Sequence, residues 1–512
     1  MAALLFFLVF CYPWQTESDW GEDECVQAPE YPWQARKNWR GHGYFFGGDT
    51  HTYVLFNAWT NPWRSHRSIG YPAFLYPFLY PDHQKFDKAQ AEARKNGPWW
   101  AGTKKPIYDV IAEIGLAKKF ETIALVQRWI LSFAIVLFYL ALCRWFPPFF
   151  SFLVMGAALW LAPPPDPLRI LTEPLSCSLT WLCAAFLLLA PKARHQVVCF
   201  ALASLCAALA FLVRPQMLSL TFFLSLIFLY QVYSWLRRES VRGLFKAAIA
   251  FSPLVFSYGY IAWLSVTGEQ LFLHTHPNVG LSAFCYFAET ADAQHMPTER
   301  ARKITVWFGE HKTEFINKIL TLKSDEALSS KIRLTGNESP VRKRAVLSDT
   351  LVHHTGWPET MKHFKNEKGI SGLSLLERNI LGRELTSGLW QRHSAEMLTS
   401  IYQNFIGALG YYRDVWHLTA LPRFSFTFNI VALGLCAWVI FTGNKTRWPL
   451  IMVVGIHLVT ILSAACGHFV IRRYVEPTEA FLLLAGMCSL WILCCRGWAL
   501  LRRENSAATT PV

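Results

Sequence analysis

Apolar runs, each close to the length a helix needs to cross a bilayer and separated by short basic clusters, constrain this chain more than any other feature. About 20 apolar residues span the hydrocarbon core. Runs of that order occupy 122–144, 149–162, 174–190, 196–213, 215–236, 244–266, 421–442, 449–466 and 477–495. Lipid offers no partner to backbone N–H and C=O groups, so such runs fold as helices that satisfy their own hydrogen bonds. Only 16% of the 512 residues are charged, against roughly 25% in soluble domains, and the mean hydropathy is +0.23. The expected fold is an all-α polytopic membrane protein.

Basic residues set the orientation. Arg144, then Lys192 and Arg194, then Arg237, Arg238, Arg242 and Lys246, then Lys445 and Arg447, then Arg496, Arg502 and Arg503 occupy alternate connections. The positive-inside rule places all of them on the cytoplasmic side. This distribution accounts for the net charge of +14 without nucleic acid, for which no motif is present. Tryptophans at the run ends, among them Trp129, Trp145, Trp160, Trp235, Trp263 and Trp448, suit the headgroup layer.

The sequence therefore predicts about ten transmembrane helices and two large extracytoplasmic segments. Residues 1–14 form a truncated first span, since Met1–Trp14 is apolar but lacks the basic start and cleavage site of a signal peptide. Residues 15–121 form an extracytoplasmic loop. Within it Ile107, Val110, Ile111 and Ile114 repeat with helical spacing between lysine pairs, as in a helix lying on the membrane surface. Residues 122–266 form a bundle of about six spans, 267–420 a mostly helical extracytoplasmic segment, 421–496 three further spans and 497–512 a cytoplasmic tail.

Most of the 13 cysteines lie within apolar runs, where a thiol acts as a small hydrophobe. Only Cys25 and Cys285 fall in the outer segments, where oxidation allows a bridge. The nine histidines of 267–420 include His274, His276, His353 and His354 but show no metal-ligand spacing, so no metal site is assigned. Asn337-Glu338-Ser339 fits a glycosylation acceptor facing outward, which matters only in a eukaryotic secretory membrane.

Chemistry is expected on the outer face. Gly47-Gly48-Asp49-Thr50-His51-Thr52-Tyr53 is followed by Arg67-Ser68-Ile69-Gly70-Tyr71-Pro72, and the paired glycines leave the Asp49 backbone room to approach a ligand. Arg169 to Pro174, Arg214-Pro215, and Arg472-Arg473-Tyr474 with Glu476-Pro477 lie at outer helix ends. Arginines there run against the bias that orients the protein.

In order and sidedness these elements resemble the GT-C superfamily of membrane glycosyltransferases, of the protein O-mannosyltransferase and aminoarabinose transferase type. The resemblance implies a sugar donor on polyprenyl or dolichyl phosphate, a glycan, lipid or protein acceptor, and inverting transfer outside the cytoplasm. Such transfer requires a carboxylate to take the acceptor's proton and cations to hold the departing phosphate. Asp49 is the expected base, with Asp23 and Glu24 as rival acids, since Asp49 lies about 35 residues beyond the short first span. Arg67, Tyr71, Glu173, Arg214, Arg472, Arg473 and Tyr474 are the expected substrate and phosphate ligands. No cofactor is assigned, and a divalent cation on the phosphate is left open. The bacterial inner membrane is the expected location.

Bland alternatives exist for each residue. Asp after Gly-Gly is commonly a turn residue, Glu173 before Pro174 suits any helix start, and the arginines can snorkel to headgroups. Two other activities compete. A ligase or polymerase of lipid-linked polysaccharide would depend on an Arg/His pair in an outer loop, and a transporter or flippase on ionisable residues within the spans.

Overall fold

The computed structural model describes residues 1–11, 69–80, 82, 84–85, 113–165, 167, 172–237, 241–267, 277–321, 339–353, 355–367, 370, 373, 375–410, 426–442, 447–466 and 478–508. The fold is helical, with no strand among the described residues. The helices are α1 (Ala2–Cys11), α2 (Gly70–Leu79), α3 (Ala117–Leu142), α4 (Pro148–Leu161), α5 (Thr172–Leu189), α6 (Gln196–Val213), α7 (Leu218–Leu236), α8 (Val241–Phe251) and α9 (Pro253–Thr267). They continue as α10 (Pro277–Phe287), α11 (Glu299–Thr321), α12 (Pro340–His353), α13 (Gly356–His363), α14 (Leu375–Ala408), α15 (Phe426–Phe441), α16 (Arg447–Cys466) and α17 (Glu479–Ala508).

Among the described residues, six helices are long and apolar enough to cross a membrane, or seven if a bent pair counts as one. The six contain the runs expected at 122–144, 174–190, 196–213, 215–236, 449–466 and 477–495. The run at 244–266 is α8 plus α9, which meet at an angle of 58°. Pro253 lacks an N–H and its ring clashes with the preceding turn, which breaks the helix there. Three more runs make shorter helices than a straight crossing needs. They are α4 with 14 residues, closed by Pro147-Pro148 at one end and Pro163-Pro164-Pro165 at the other, α15 with 16 and α1 with 10.

Hydrogen bonds fix which helix ends meet. Trp145 Nε1 donates to Leu188 O and Trp448 Nε1 to Leu187 O, each at 2.9 Å. Lys192 Nζ donates to Arg144 O, and Arg496 Nη1 donates to Thr442 Oγ1 at 2.8 Å. The connections bearing Arg144, Lys192 and Arg447 and the Arg496 stretch of α17 therefore share one end of the bundle, here the basic end. At the centre lies α5, whose Trp181 is sealed between Phe138 of α3 and Phe481 of α17 at ring separations of 5.0 and 4.8 Å. Small buried residues, Cys183 and Ala184 on α5 and Ala203, Ala207 and Ala210 on α6, allow these helices to pack closely, as is common between membrane helices.

Helices α10 to α14 form a second unit with its own core, in which Phe284, Phe308, Leu351, Leu385 and Leu389 are fully buried. Their sequences carry many more charges than the spans do. The long α14 leaves helical geometry at His393 (φ −110°, ψ 20°). Its final turns then meet the bundle. Asn404 Nδ2 donates to Ala465 O at 3.2 Å, Asn429 Nδ2 of α15 donates to Leu409 O at 2.9 Å, and Leu409 packs with Ile461 and Ala464. Cys285 is a buried thiol in this unit, with desolvation pushing its pKa up, while Cys25 lies outside the described residues.

Candidate functional site

The end of the bundle opposite the basic residues gathers three elements that are distant in sequence. The first is the start of α2. A Cβ at Gly70 would stand 2.5 Å from Leu212 C and 2.6 Å from Leu212 O and Val213 N, all backbone atoms at the end of α6. Only glycine permits this approach. Tyr71 follows and is fully buried, donating from its hydroxyl to Gln127 Oε1 of α3 at 2.8 Å. Gln127 Nε2 in turn donates to Pro167 O at 2.9 Å, just ahead of α5.

The second and third elements are Thr172-Glu173-Pro174 and Arg214-Pro215. Proline cannot continue the hydrogen bonding of α6 and biases its predecessor to extended backbone. Arg214 accordingly leaves the helix at φ −143°, ψ 108°. Its Nη1 lies 3.2 Å from Glu173 Oε1, with both side chains about 95% buried. Arg214 Nε donates to Gln216 Oε1 at 2.5 Å and Thr172 Oγ1 donates to Glu173 Oε2 at 3.2 Å. Glu173 also sits in the first turn of α5, where the helix dipole favours an anion. Ser463 Oγ, in the last turn of α16, donates to Gln216 O at 3.1 Å.

Of the residues singled out from sequence, Tyr71, Glu173 and Arg214 thus meet at one end of the bundle. Asp49, Arg67, Arg472, Arg473, Tyr474 and the rival acids Asp23 and Glu24 lie outside the described residues, as do the surface repeat Ile107 to Ile111 and the acceptor Asn337. Sequence reasoning passed over Gln127, Gln216 and Ser463. For Gln127 a signal existed, a polar side chain beside Arg128 early in an apolar run.

The α10–α14 unit holds a second polar cluster. Asp292 is inaccessible to solvent and lies in the 3-10 turn Thr290–His295. Its Oδ2 accepts the Glu289 N–H at 2.7 Å and stands 3.1 Å from His393 Nε2. Its Oδ1 accepts Arg392 Nη1 at 3.2 Å, and Arg392 Nη2 lies 3.1 Å from Glu289 Oε2. His393 Nδ1 faces the exposed Glu396 at 3.9 Å. Neighbouring Lys312 donates to Tyr286 O and Ala288 O at 2.5 and 3.0 Å, and its burial lowers its pKa. Among the described residues no three His, Cys, Asp or Glu side chains gather as metal ligands.

No family model, curated protein or solved structure matches this chain.

Proposed function

We propose that this protein is a membrane glycosyltransferase of the GT-C type, moving a sugar from a polyprenyl- or dolichyl-phosphate donor to a glycan, lipid or protein acceptor with inversion. One observation carries the reading. The Gly70-Tyr71, Glu173 and Arg214 elements, chosen from sequence for their likeness to that superfamily, converge at the bundle end opposite the basic residues. The bundle, with about ten spans when its short and bent helices are counted, faces its site away from the cytoplasm, and the bacterial inner membrane is its proposed location.

In this reading the acceptor hydroxyl attacks the anomeric carbon, the bond to phosphate breaks, and its electron pair leaves with the lipid phosphate. Asp49 takes the hydroxyl proton. Arg67, Arg472 and Arg473 neutralise the leaving phosphate as charge develops on it. Arg214, already paired with Glu173, completes the cationic wall and holds the ends of α5 and α6 together. Tyr71 fixes α2 against α3.

The test is transfer of radiolabelled sugar from a polyprenyl-phosphate pool in membranes at matched expression. Asp49→Asn is expected to lower the rate by about 10²-fold or more, the lower part of the range for a general base, with Tyr71→Phe close to native. If Asp49→Asn transfers at the native rate the base assignment fails, and if the native chain transfers from no donor in a broad set the transferase reading fails.

A second reading, a lipid-linked polysaccharide ligase or polymerase, draws on the Arg392-His393 pair held by Asp292. It requires activity to vanish in His393→Ala and persist in Asp49→Asn.

A further inference from the structure

The basic end carries a feature that the transferase reading does not use. A groove of about 300 Å3 runs between the residues that follow α3 and the later turns of α17, lined by Trp145, Phe146, Pro147, Trp491, Ile492 and Arg496. Its walls are apolar and its aromatic rings are fixed in place. Trp145 is held by the bond from its Nε1 to Leu188 O, and Trp491 stacks on Phe150 at 4.4 Å. Indole rings at the end of a membrane bundle mark the depth of the headgroups.

One cation lines this groove and a second packs on one of its aromatic rings. Arg496 contributes to the lining and gives one Nη1 hydrogen to Thr442. A guanidinium carries five N–H donors, so most of its fork remains to meet an oxyanion. Lys192 Nζ stands 4.1 Å from the centroid of the Trp145 ring and bonds Arg144 O. Among the described residues no carboxylate lies within ion-pair distance of Arg144, Lys192 or Arg496. Apolar walls, indoles at headgroup depth and three cations without an acidic neighbour complement an amphiphile with an anionic head.

We propose that this groove binds an anionic phospholipid, with its phosphate on Arg496 and Lys192 and one acyl chain along Trp145, Phe146 and Trp491. A basic recess at the membrane edge selects such headgroups by charge, and a guanidinium meets a phosphate with paired N–H donors. A zwitterionic lipid brings its own cation to the same place and is held less well. The site lies at the far end of the bundle from Glu173 and Arg214, so it stands or falls independently of the transferase reading.

The test uses the full chain in phosphatidylcholine nanodiscs containing a small fraction of phosphatidylglycerol with a diazirine in its acyl chain. After irradiation, labelled peptides are mapped by mass spectrometry. Label is expected on 145–147 and 491–499, and is displaced by unlabelled phosphatidylglycerol but not by added phosphatidylcholine. Arg496→Gln is expected to lower labelling about fivefold, equivalent to the roughly 1 kcal/mol per cation near an anionic surface, and Lys192→Gln by a further factor of about five. Arg496→Lys retains most of it. Ala499→Trp, at an exposed position on the rim, fills the groove while keeping both charges and is expected to remove the label. Equal displacement by phosphatidylcholine, undiminished label in the Lys192→Gln/Arg496→Gln protein, or undiminished label in Ala499→Trp would each overturn the proposal.

Discussion

The bundle and the α10–α14 unit each bury an acid against a base, and they do so in different ways. In the bundle, Glu173 and Arg214 are sealed together, both about 95% buried, each at a proline-marked helix end. In the α10–α14 unit the acid and His393 are sealed but the arginine is not. Asp292 is fully buried, whereas the Arg392 side chain is 38% exposed and its second partner Glu289 is 55% exposed. Removing both charges of a pair from water carries a large desolvation cost, which mutual attraction barely offsets. Such a pair contributes specificity of position more than stability. The Asp292 cluster leaves Arg392 in contact with water and gives the acid a backbone N–H as well, so it loses less on desolvation and constrains geometry less tightly.

The sharpest way to break this contrast is to remove half of the bundle pair. Glu173→Gln removes the carboxylate that stands 3.2 Å from the buried Arg214 and is expected to cost about 3–5 kcal/mol, while the double change Glu173→Leu/Arg214→Met recovers part of that loss. Thermal unfolding in matched detergent would report both. If the single and double variants are equally unstable, the two side chains are not coupled to each other.

A smaller effect is expected from Asp292→Asn. It weakens the hold on Arg392 and His393 but strands no fully buried cation, so the cost should be about 1–3 kcal/mol. Faster hydrogen exchange is expected at the bend of α14 around His393, with the amides of α5 and α6 unchanged. Spread of that change into α5 would mean that the two clusters are not separate.

The smallest effect concerns pH. Burial acts to raise the pKa of Glu384, but the Arg300 fork at 2.8 and 2.9 Å and the Thr298 hydroxyl outweigh it, so the carboxyl lies below its ordinary range. A depressed folded-state pKa contributes stability above the unfolded value, near 4.3, and that contribution is lost as pH falls through the folded value. The pair is partly exposed, so the loss should stay within about 1 kcal/mol. Melting curves between pH 7 and 3 should show the native α10–α14 unit falling more steeply than Glu384→Gln. Parallel curves would remove this role.

Much of the bundle was legible because bilayer length and charge bias act on one-dimensional features. The runs became helices, and the connections at Arg144, Lys192 and Arg447 do share an end. Tyr71, Glu173 and Arg214 were legible because glycine and proline leave marks beside them. The bend at Pro253 could have been read from the proline but was folded into one long run. Other features depended on contacts that no local pattern encodes. Nothing near His393 distinguishes it from the other histidines of its segment, because its bend depends on Asp292, about a hundred residues earlier. Gln216 and Ser463 draw their importance from meeting across 247 positions.

The seam between the two units has a mechanical meaning. Arg344 grips Asn404 at 2.8 Å, Asn404 holds Ala465 O, and two residues earlier on the same turn Ser463 holds Gln216 O beside Arg214. The chain of hydrogen bonds from α12 through the end of α14 to the last turn of α16 therefore ends at Gln216 beside Arg214, tying the position of α14 to that helix end. The two units thus join beside Arg214 through a single turn of α16.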